Sequence, residues 1–451
     1  MGTTLDLAAA GALETAGAIR SGEISALEAC DAAIARIEKL DGQINAVVVR
    51  DFDRAREAAK AVDASRKPDD ARALLGVPMT VKESNDVAGL PSTWGFEMFK
   101  DLKAPRDAAV VERLKGAGAV ILGKTNVPVA LADWQSENPV YGRTLNPFDK
   151  TRSPGGSSGG AAAALATGMV PLEIGSDIGG SIRAPSHMCG VFGHKPSYGI
   201  VPLRGHGFPG TDGVDVPLAV VGPMARNTAD LAATLDIIAG PESAGLKLDL
   251  PPAGVSSLNG LRVRIIDRMP GVPSDGDTRE ALATLSEALD REGAAVSMST
   301  DDFPALEPMM DSYIKMLNTV ILRGTPDAKP IDAHTWMDLV DGQMQVTRAW
   351  AQVFRDTDVL ISPIFSTPAF PYQSEPDWAK RMLLIDNEPY PYGGQLAWAA
   401  IATYAGLPAT AVPVGKSRNG LPIGVQIIAG PYGDRRSLAV ASLLEEAGLT
   451  L

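Results

Sequence analysis

Two glycine-bracketed serine segments stand in the first half of the chain: Gly156-Ser157-Ser158-Gly159-Gly160 and Gly175-Ser176-Asp177-Ile178-Gly179-Gly180-Ser181-Ile182-Arg183. Upstream, the short apolar run Gly76-Val77-Pro78-Met79-Thr80-Val81-Lys82 ends in a lysine. A serine hydroxyl is a weak nucleophile until a base takes its proton. A lysine can be that base when it is buried, because desolvation lowers its pKa. The three segments together predict a serine hydrolase with a lysine base.

The glycines around the second serine predict a backbone anion site. Glycine has no Cβ, so its backbone N–H groups can approach a substrate closely. We therefore expect an oxyanion hole built from the amides of Ile178, Gly179, Gly180 and Ser181.

The chain resembles the amidase signature family from about residue 76 to residue 204. The matching residues include Arg152-Ser153-Pro154-Gly155-Gly156-Ser157-Ser158-Gly159-Gly160 and Gly193-His194-Lys195-Pro196-Ser197. Weaker matches follow at Gly406-Leu407-Pro408-Ala409 and at Gly420-Leu421-Pro422-Ile423-Gly424-Val425-Gln426. The resemblance implies an α/β fold with a large mixed β-sheet covered by helices on both faces.

The resemblance also assigns roles to the serine segments. It implies that Ser181 is the nucleophile, that Ser157 is a bridging serine on a cis peptide, and that Lys82 is the base. Ser158 and the flanking pair of Asp177 and Arg183 support them. The implied activity is that of an amidase, which forms an acyl-enzyme and releases ammonia or an amine without a metal or organic cofactor.

Three other interpretations of the sequence stay open. Residues 155–159 fit the G-x-S-x-G elbow of α/β-hydrolases, which would make Ser157 the nucleophile of an esterase. Against it, 152–154 is a poor strand and the chain has only four histidines. Residues 118–125 fit a phosphate-binding loop, but 119–122 is predicted to be the strand itself. The family also includes the glutaminase-type A subunit of glutamyl-tRNA amidotransferase, which acts with a partner.

Composition narrows the class of protein. The 451 residues carry a net charge of −13, which disfavours nucleic-acid binding. Cys30 and Cys189 are the chain's two cysteines and give no disulfide framework, so we expect a cytoplasmic protein. The apolar runs are too short to span a membrane, and the first ten residues lack the basic start of a secretion signal.

The family resemblance implies one amidase domain over residues 1–451. An N-terminal helical segment covers 1–70, with a capping box at Ser25 and Glu28. The signature core covers 76–204, where predicted strands and helices alternate. Residues 241–350 include a βαβ-like unit at 261–298, and the pattern leaves open whether they form an excursion from one sheet or a small domain. The resemblance favours a variable excursion that shapes the substrate pocket.

Substrate-binding residues are predicted only as candidates. The segment before the first serine loop and the variable region supply large or polar side chains that suit an amide pocket. Each of these side chains could equally well be part of the core. The candidates are Trp134, Gln135, Ser136, Trp336 and Tyr390. Asn85 stands close to Lys82, where related chains commonly have an apolar residue. The expected ligand is a small-molecule amide, and a homodimer is left open.

Overall fold

The computed structural model describes residues 5–451 except 212, 214, 244–245 and 324–327. The described residues form twelve α-helices: α1 Ala12–Ser21, α2 Ala26–Leu40, α3 Phe52–Ser65, α4 Ala109–Gly116, α5 Gly159–Ala166, α6 Arg183–Cys189, α7 Thr228–Ile238, α8 Gly276–Arg291, α9 Leu306–Ile321, α10 Ala333–Val353, α11 Leu396–Thr403 and α12 Asp434–Glu446.

The same residues form fifteen β-strands: β1 Val47–Arg50, β2 Pro78–Lys82, β3 Val120–Thr125, β4 Glu137–Asn138, β5 Gly142–Arg143, β6 Leu172–Asp177, β7 Phe192–Lys195, β8 Val220–Ala225, β9 Arg262–Ile265, β10 Ala295–Ser297, β11 Val359–Pro363, β12 Met382–Ile385, β13 Glu388–Pro391, β14 Ala409–Lys416 and β15 Pro422–Ile428.

The main sheet has eight strands in the order β10-β9-β11-β15-β14-β7-β8-β6. The pairs that β9 makes with β10 and with β11 are parallel, and the other pairs are antiparallel. The sheet is therefore mixed. Because β9 and β10 extend it, the strands of the variable excursion belong to the same sheet as the signature core.

Helices cover both faces of this sheet. A Cβ at Gly193 of β7 would meet the side chains of Ser186 and Ile182, on and beside α6. The next residue, His194, contacts Asp434 at the start of α12. Consecutive strand residues point to opposite faces, so α6 and α12 lie on opposite sides. The predicted fold class is confirmed.

The N-terminal helices begin where the sequence indicates. Ser25 Oγ accepts a hydrogen bond from Glu28 N at 3.0 Å, and the Glu28 carboxylate accepts one from Ser25 N at 2.7 Å. The predicted capping box at the start of α2 is thus confirmed. The Asp63 carboxylate of α3 also accepts from Ala26 N at 2.7 Å, which joins the start of α2 to α3.

A second, three-stranded sheet has the order β1-β3-β2 and lies beside the main one. β2 and β6 run side by side, joined by side chains rather than by a backbone ladder. The Thr80 hydroxyl donates to the Glu173 carboxyl group, and Lys82 Nζ lies 2.9 Å from Ser176 Oγ. Residues advance in the same direction on both strands, so the two carboxyl ends meet at one edge.

The 118–125 motif is not a phosphate loop. Its last six residues form the buried strand β3. A Cβ at Gly123 would stand 2.0 Å from Val49 O, and Lys124 Nζ donates to Ser92 Oγ at 2.8 Å. The lysine is therefore a structural residue. None of the helices in the described ranges is both long and apolar enough to cross a membrane.

Candidate active site

Lys82 ends β2 inside the protein, with none of its surface exposed. Its Nζ lies 2.6 Å from Ser157 Oγ and 2.9 Å from Ser176 Oγ. Burial lowers the pKa of Lys82 to about 7, although the Asp177 carboxylate opposes that shift. A large fraction of Lys82 is therefore neutral near pH 7, and a neutral amine can accept a proton.

Ser157 lies in a loop that neighbouring residues hold in place. The Gly156–Ser157 peptide bond is cis. Ser136 Oγ donates to Gly155 O at 3.1 Å and accepts from Gly159 N at 3.1 Å. The Ser136 hydroxyl thus joins the two ends of the loop that carries Ser157.

Ser181 lies in the turn between β6 and α6, and Asp177 orders that turn. The Asp177 carboxylate accepts hydrogen bonds from Gly180 N at 2.9 Å and Ile182 N at 3.0 Å, and it pairs with Arg183 Nη2 at 2.8 Å. Burial is the largest single influence and raises the pKa of Asp177, but the Arg183 guanidinium, the Lys195 charge and the Ile182 N–H together outweigh it, and the pKa falls to about 2. The carboxylate is charged and braces the turn.

The two serine segments meet directly. Ser158 N donates to Ser181 O at 3.1 Å. Ser181 is 6% exposed, and its hydroxyl makes no hydrogen bond within the described part of the chain. Ser158 Oγ also lies 3.3 Å from Ser176 N. The arrangement places both serines and Lys82 at the edge where β2 and β6 end.

The expectation for the oxyanion hole needs one correction. The Gly180 N–H is already donated to Asp177, so Gly180 supplies no free donor. The amides of Ile178, Gly179 and Ser181 have no acceptor among the described residues. Three of the four expected donors therefore remain open to a substrate oxygen.

Two side chains orient these peptide groups by binding their carbonyls. Trp134 Nε1 donates to Gly179 O at 3.0 Å, and Tyr313 OH donates to Ile178 O at 2.7 Å. The Ile178 carbonyl shares its peptide group with the Gly179 N–H, and the Gly179 carbonyl shares its peptide group with the Gly180 N–H that binds Asp177. Trp134 was predicted only as a pocket wall, and the structure adds this second contact.

The other substrate-binding candidates lie in different surroundings. Gln135 exchanges hydrogen bonds with the backbone of Gln373. Tyr390 OH donates to Gly271 O at 2.6 Å. Trp336 and Tyr390 are half-buried and pack on the apolar cluster that Ile178 also borders. Trp134 packs against Trp378 and Tyr392, with ring centroids 5.1 and 5.2 Å away.

Sequence reasoning missed four contacts of this site. Ser176 lies within the motif, yet its contact with Lys82 depends on the alignment of β2 with β6. Gln426 Oε1 accepts from Arg183 Nη1 at 2.6 Å, and Thr403 Oγ1 accepts from Arg183 Nη2 at 2.8 Å. Gln426 ends one of the weaker family matches, which was its signal in the sequence. Thr403 and the Tyr313 hydroxyl had none.

A second buried lysine provides a useful contrast. Burial, aided by the nearby Arg183 charge, lowers the pKa of Lys195 to about 7. Its Nζ donates to Pro196 O at 3.0 Å and makes no hydrogen bond to a serine among the residues that the structure describes. Lys195 therefore resembles Lys82 in burial and pKa but not in its neighbours.

Two of the histidines near the site, His187 and His194, serve the scaffold. His187 Nδ1 accepts from Gly424 N at 2.8 Å, and His194 Nε2 lies 3.2 Å from Asp434 Oδ1. Within the ranges that the structure describes, no group of three or more His, Cys, Asp and Glu side chains could hold a metal ion.

Comparison with known proteins gives consistent matches along the chain. A family model described as Amidase matches residues 28–320 and 314–438. An indoleacetamide hydrolase of Bradyrhizobium diazoefficiens is 32% identical, over 96% of this chain and 86% of the relative. The A subunit of the glutamyl-tRNA(Gln) amidotransferase of Deinococcus radiodurans is 33% identical, over 97% of each chain. The solved 6-aminohexanoate cyclic dimer hydrolase superposes with a TM-score of 0.83 at 28% identity, covering 98% of this chain and 97% of that one.

Proposed function

This chain belongs to the amidase signature family and is an amidase, and from that premise we propose that it cleaves a carboxamide through a relay of Ser181, Ser157 and Lys82. The observation that carries the proposal is the distance of 2.6 Å between Lys82 Nζ and Ser157 Oγ. A buried lysine with a pKa near 7 is suited to remove a proton at neutral pH. Ser181 is the partly exposed member of the three.

The first half of the reaction forms an acyl-enzyme. Neutral Lys82 takes the proton of Ser157, and Ser157 takes the proton of Ser181 as Ser181 Oγ bonds to the amide carbon. The carbonyl oxygen becomes an oxyanion, which the amides of Ile178, Gly179 and Ser181 stabilise. The proton then returns through Ser157 to the leaving nitrogen, the C–N bond breaks, and ammonia or an amine departs.

The second half regenerates the enzyme. A water molecule attacks the acyl carbon and gives up a proton along the same path. Ser181 leaves with that proton, and the product is a carboxylic acid. The charged Asp177 and Arg183 pair keeps the turn in one geometry throughout, so the donors need no rearrangement.

The relay is tested with single variants on a chromogenic anilide. Ser181→Ala should lower kcat/KM by at least about 10⁴-fold, and Ser157→Ala and Lys82→Ala by about 10²-fold to 10⁴-fold. Ser186→Ala is the matched control, because Ser186 is a buried serine that donates only to Ile182 O. Wild-type activity in Ser181→Ala would overturn the proposal.

A second candidate function is that of the glutaminase component of an amidotransferase. It is favoured by the 33% identity to the Deinococcus radiodurans protein, which is as high as the 32% identity to the indoleacetamide hydrolase. A free hydrolase acts alone on simple amides. An amidotransferase component uses glutamine and responds to its partner, so kcat/KM for glutamine against an anilide separates the two functions.

We further propose a cytoplasmic enzyme that acts on a small-molecule amide. Cys30 and Cys189 are both buried free thiols, which suits a reducing compartment. The proposed domain organisation is a single unit in which residues 241–350 shape the pocket. Tyr313 on α9 supports that role, because its hydroxyl contacts Ile178 O.

A further inference from the structure

Three buried polar atoms without a hydrogen-bond partner lie on residues grouped beside Lys82. They are Asn85 Oδ1, Trp94 Nε1 and His206 Nδ1, within the part of the chain that the structure describes. Folded proteins pair nearly all such atoms, because an unpaired one has lost its hydrogen bonds to water without replacing them. Three on neighbouring residues indicate a ligand that supplies their partners.

The three residues lie near the carboxyl end of β2, where Trp94 contacts His206, and Asn85 follows Ser84, which also contacts His206. Asn85 Nδ2 donates to Lys82 O at 3.4 Å. Ser84 Oγ lies 3.1 Å from His206 Nε2, and the rings of His206 and Trp94 are 5.6 Å apart. Asn85 and His206 are more than nine-tenths buried. Ligands of parallel α/β structures bind at this end of the strands.

Aromatic rings continue from this group of residues to the surface. The ring centroid of Phe208 lies 6.1 Å from Trp94 and 5.6 Å from both Phe96 and Phe99. The Phe208 side chain is 44% exposed. Edge-to-face contacts of this kind suit a flat aromatic guest.

The unpaired atoms indicate the chemistry of the guest. The indole N–H of Trp94 can only donate, and Asn85 Oδ1 can only accept. Burial, with the Lys82 charge adding to it, lowers the pKa of His206 to about 3, so the imidazole is neutral. The complementary group is uncharged and both donates and accepts, as a hydroxyl or a carboxamide does.

The relay identifies which part of the substrate reaches these residues. This step rests on the proposed function. Ser157 returns the proton to the leaving nitrogen, so the leaving group lies on the side of Ser157 and Lys82. We propose that Asn85, Trp94 and His206 determine leaving-group specificity and select an aromatic amine that bears an uncharged hydroxyl or carboxamide.

The test compares substrates that share one acyl group: the anilide and its 3- and 4-hydroxy derivatives. The readout is the ratio of kcat/KM for the better hydroxyanilide to that for the anilide. Trp94→Phe and Asn85→Leu should each lower this ratio about threefold to tenfold, since each removes one hydrogen bond. Trp350→Phe is the matched control. Trp350 Nε1 is also buried and unpaired, but its ring packs against Phe303 and Phe354.

The outcomes separate this inference from the proposed function. If the wild-type enzyme hydrolyses the anilides but both variants keep the hydroxyanilide-to-anilide ratio of kcat/KM within twofold of the wild-type ratio, the specificity site is overturned and the proposed function is not. An equal loss on both substrates would also overturn it, because that result indicates a positioning role. A wild-type enzyme that hydrolyses none of the amides would overturn the proposed function and this inference together.

Discussion

Single residues define the chemistry of this amidase, and Lys82 shows how. Burial lowers the pKa of both Lys82 and Lys195 to about 7, yet only Lys82 contacts a serine. A perturbed pKa therefore does not identify the base by itself. A serine contact does not identify the base by itself either, because the buried Lys124 donates to Ser92 Oγ. Lys82 differs from Lys124 because the serine that it contacts is Ser157, in the segment that meets the Ser181 turn.

The pH dependence of kcat/KM tests that distinction. Below pH 7 Lys82 is mostly protonated and cannot accept a proton, so kcat/KM should rise with pH and level off above about 7. Lys195→Met should keep this profile, and Lys82→Ala should lose the rising limb from its residual activity. A rising limb that shifts in Lys195→Met and persists in Lys82→Ala would contradict the assignment of Lys82 as the base.

Residue identities were predictable where a motif carries them. The positions of Lys82, Ser157 and Ser181 follow from the motif, and the structure brings their segments together. The use of Gly180 N–H by Asp177 was not predictable, because it depends on the exact path of the turn. The contact between Ser176 and Lys82 depends on which strands lie side by side.

At the scale of elements, α5 shows how closely the backbone segments approach one another. The helix is alanine-rich and almost wholly buried. A Cβ at Gly160 would stand 2.3 Å from Asn126 N and 2.9 Å from Ala46 O. Only glycine fits between α5 and the loop after β3.

Two glycine-to-alanine variants test this packing. Gly160→Ala should lower the free energy of unfolding by about 1–3 kcal/mol, because backbone atoms must move. A Cβ added at Gly17 in α1 would have no atom within 4 Å. Gly17→Ala should therefore raise the free energy of unfolding by about 0.5–1 kcal/mol, because alanine has the higher helix propensity. Urea unfolding measures both. Equal changes in the free energy of unfolding for the two variants would contradict the close approach of α5 to the loop after β3.

Local elements were predictable and their arrangement was not. The capping box of α2 and the strand character of 119–122 follow from neighbouring residues. The sheet order does not, because β7 pairs with β14, more than 200 residues later. No local pattern encodes a pairing of that range.

At the scale of the whole molecule, long-range contacts join the signature core to the rest. Arg183 bonds Gln426 and Thr403, and β9 and β10 extend the sheet that contains β6 and β7. The fold class was predictable from alternating strands and helices. The sequence pattern left open whether residues 241–350 share one sheet with the signature core. Only the family resemblance favoured a shared sheet.

Cooperative unfolding is the expected consequence of these contacts. Tryptophan fluorescence and far-ultraviolet circular dichroism should give coincident urea transitions, since the excursion strands β9 and β10 continue the main sheet through the pairing of β9 with β11. Six tryptophans, from Trp94 to Trp398, report on both halves of the chain. Two separated transitions would show that residues 241–350 form an independent unit.

The central claim is that Ser181 is the nucleophile and Ser157 the bridge, and covalent labelling tests it most directly. The purified chain is treated with a fluorophosphonate, and the modified peptide is mapped by mass spectrometry, with Ser181→Ala as the control. We predict a single label on Ser181 that is absent from the control. A label on Ser157 would contradict the account and favour the nucleophile-elbow esterase.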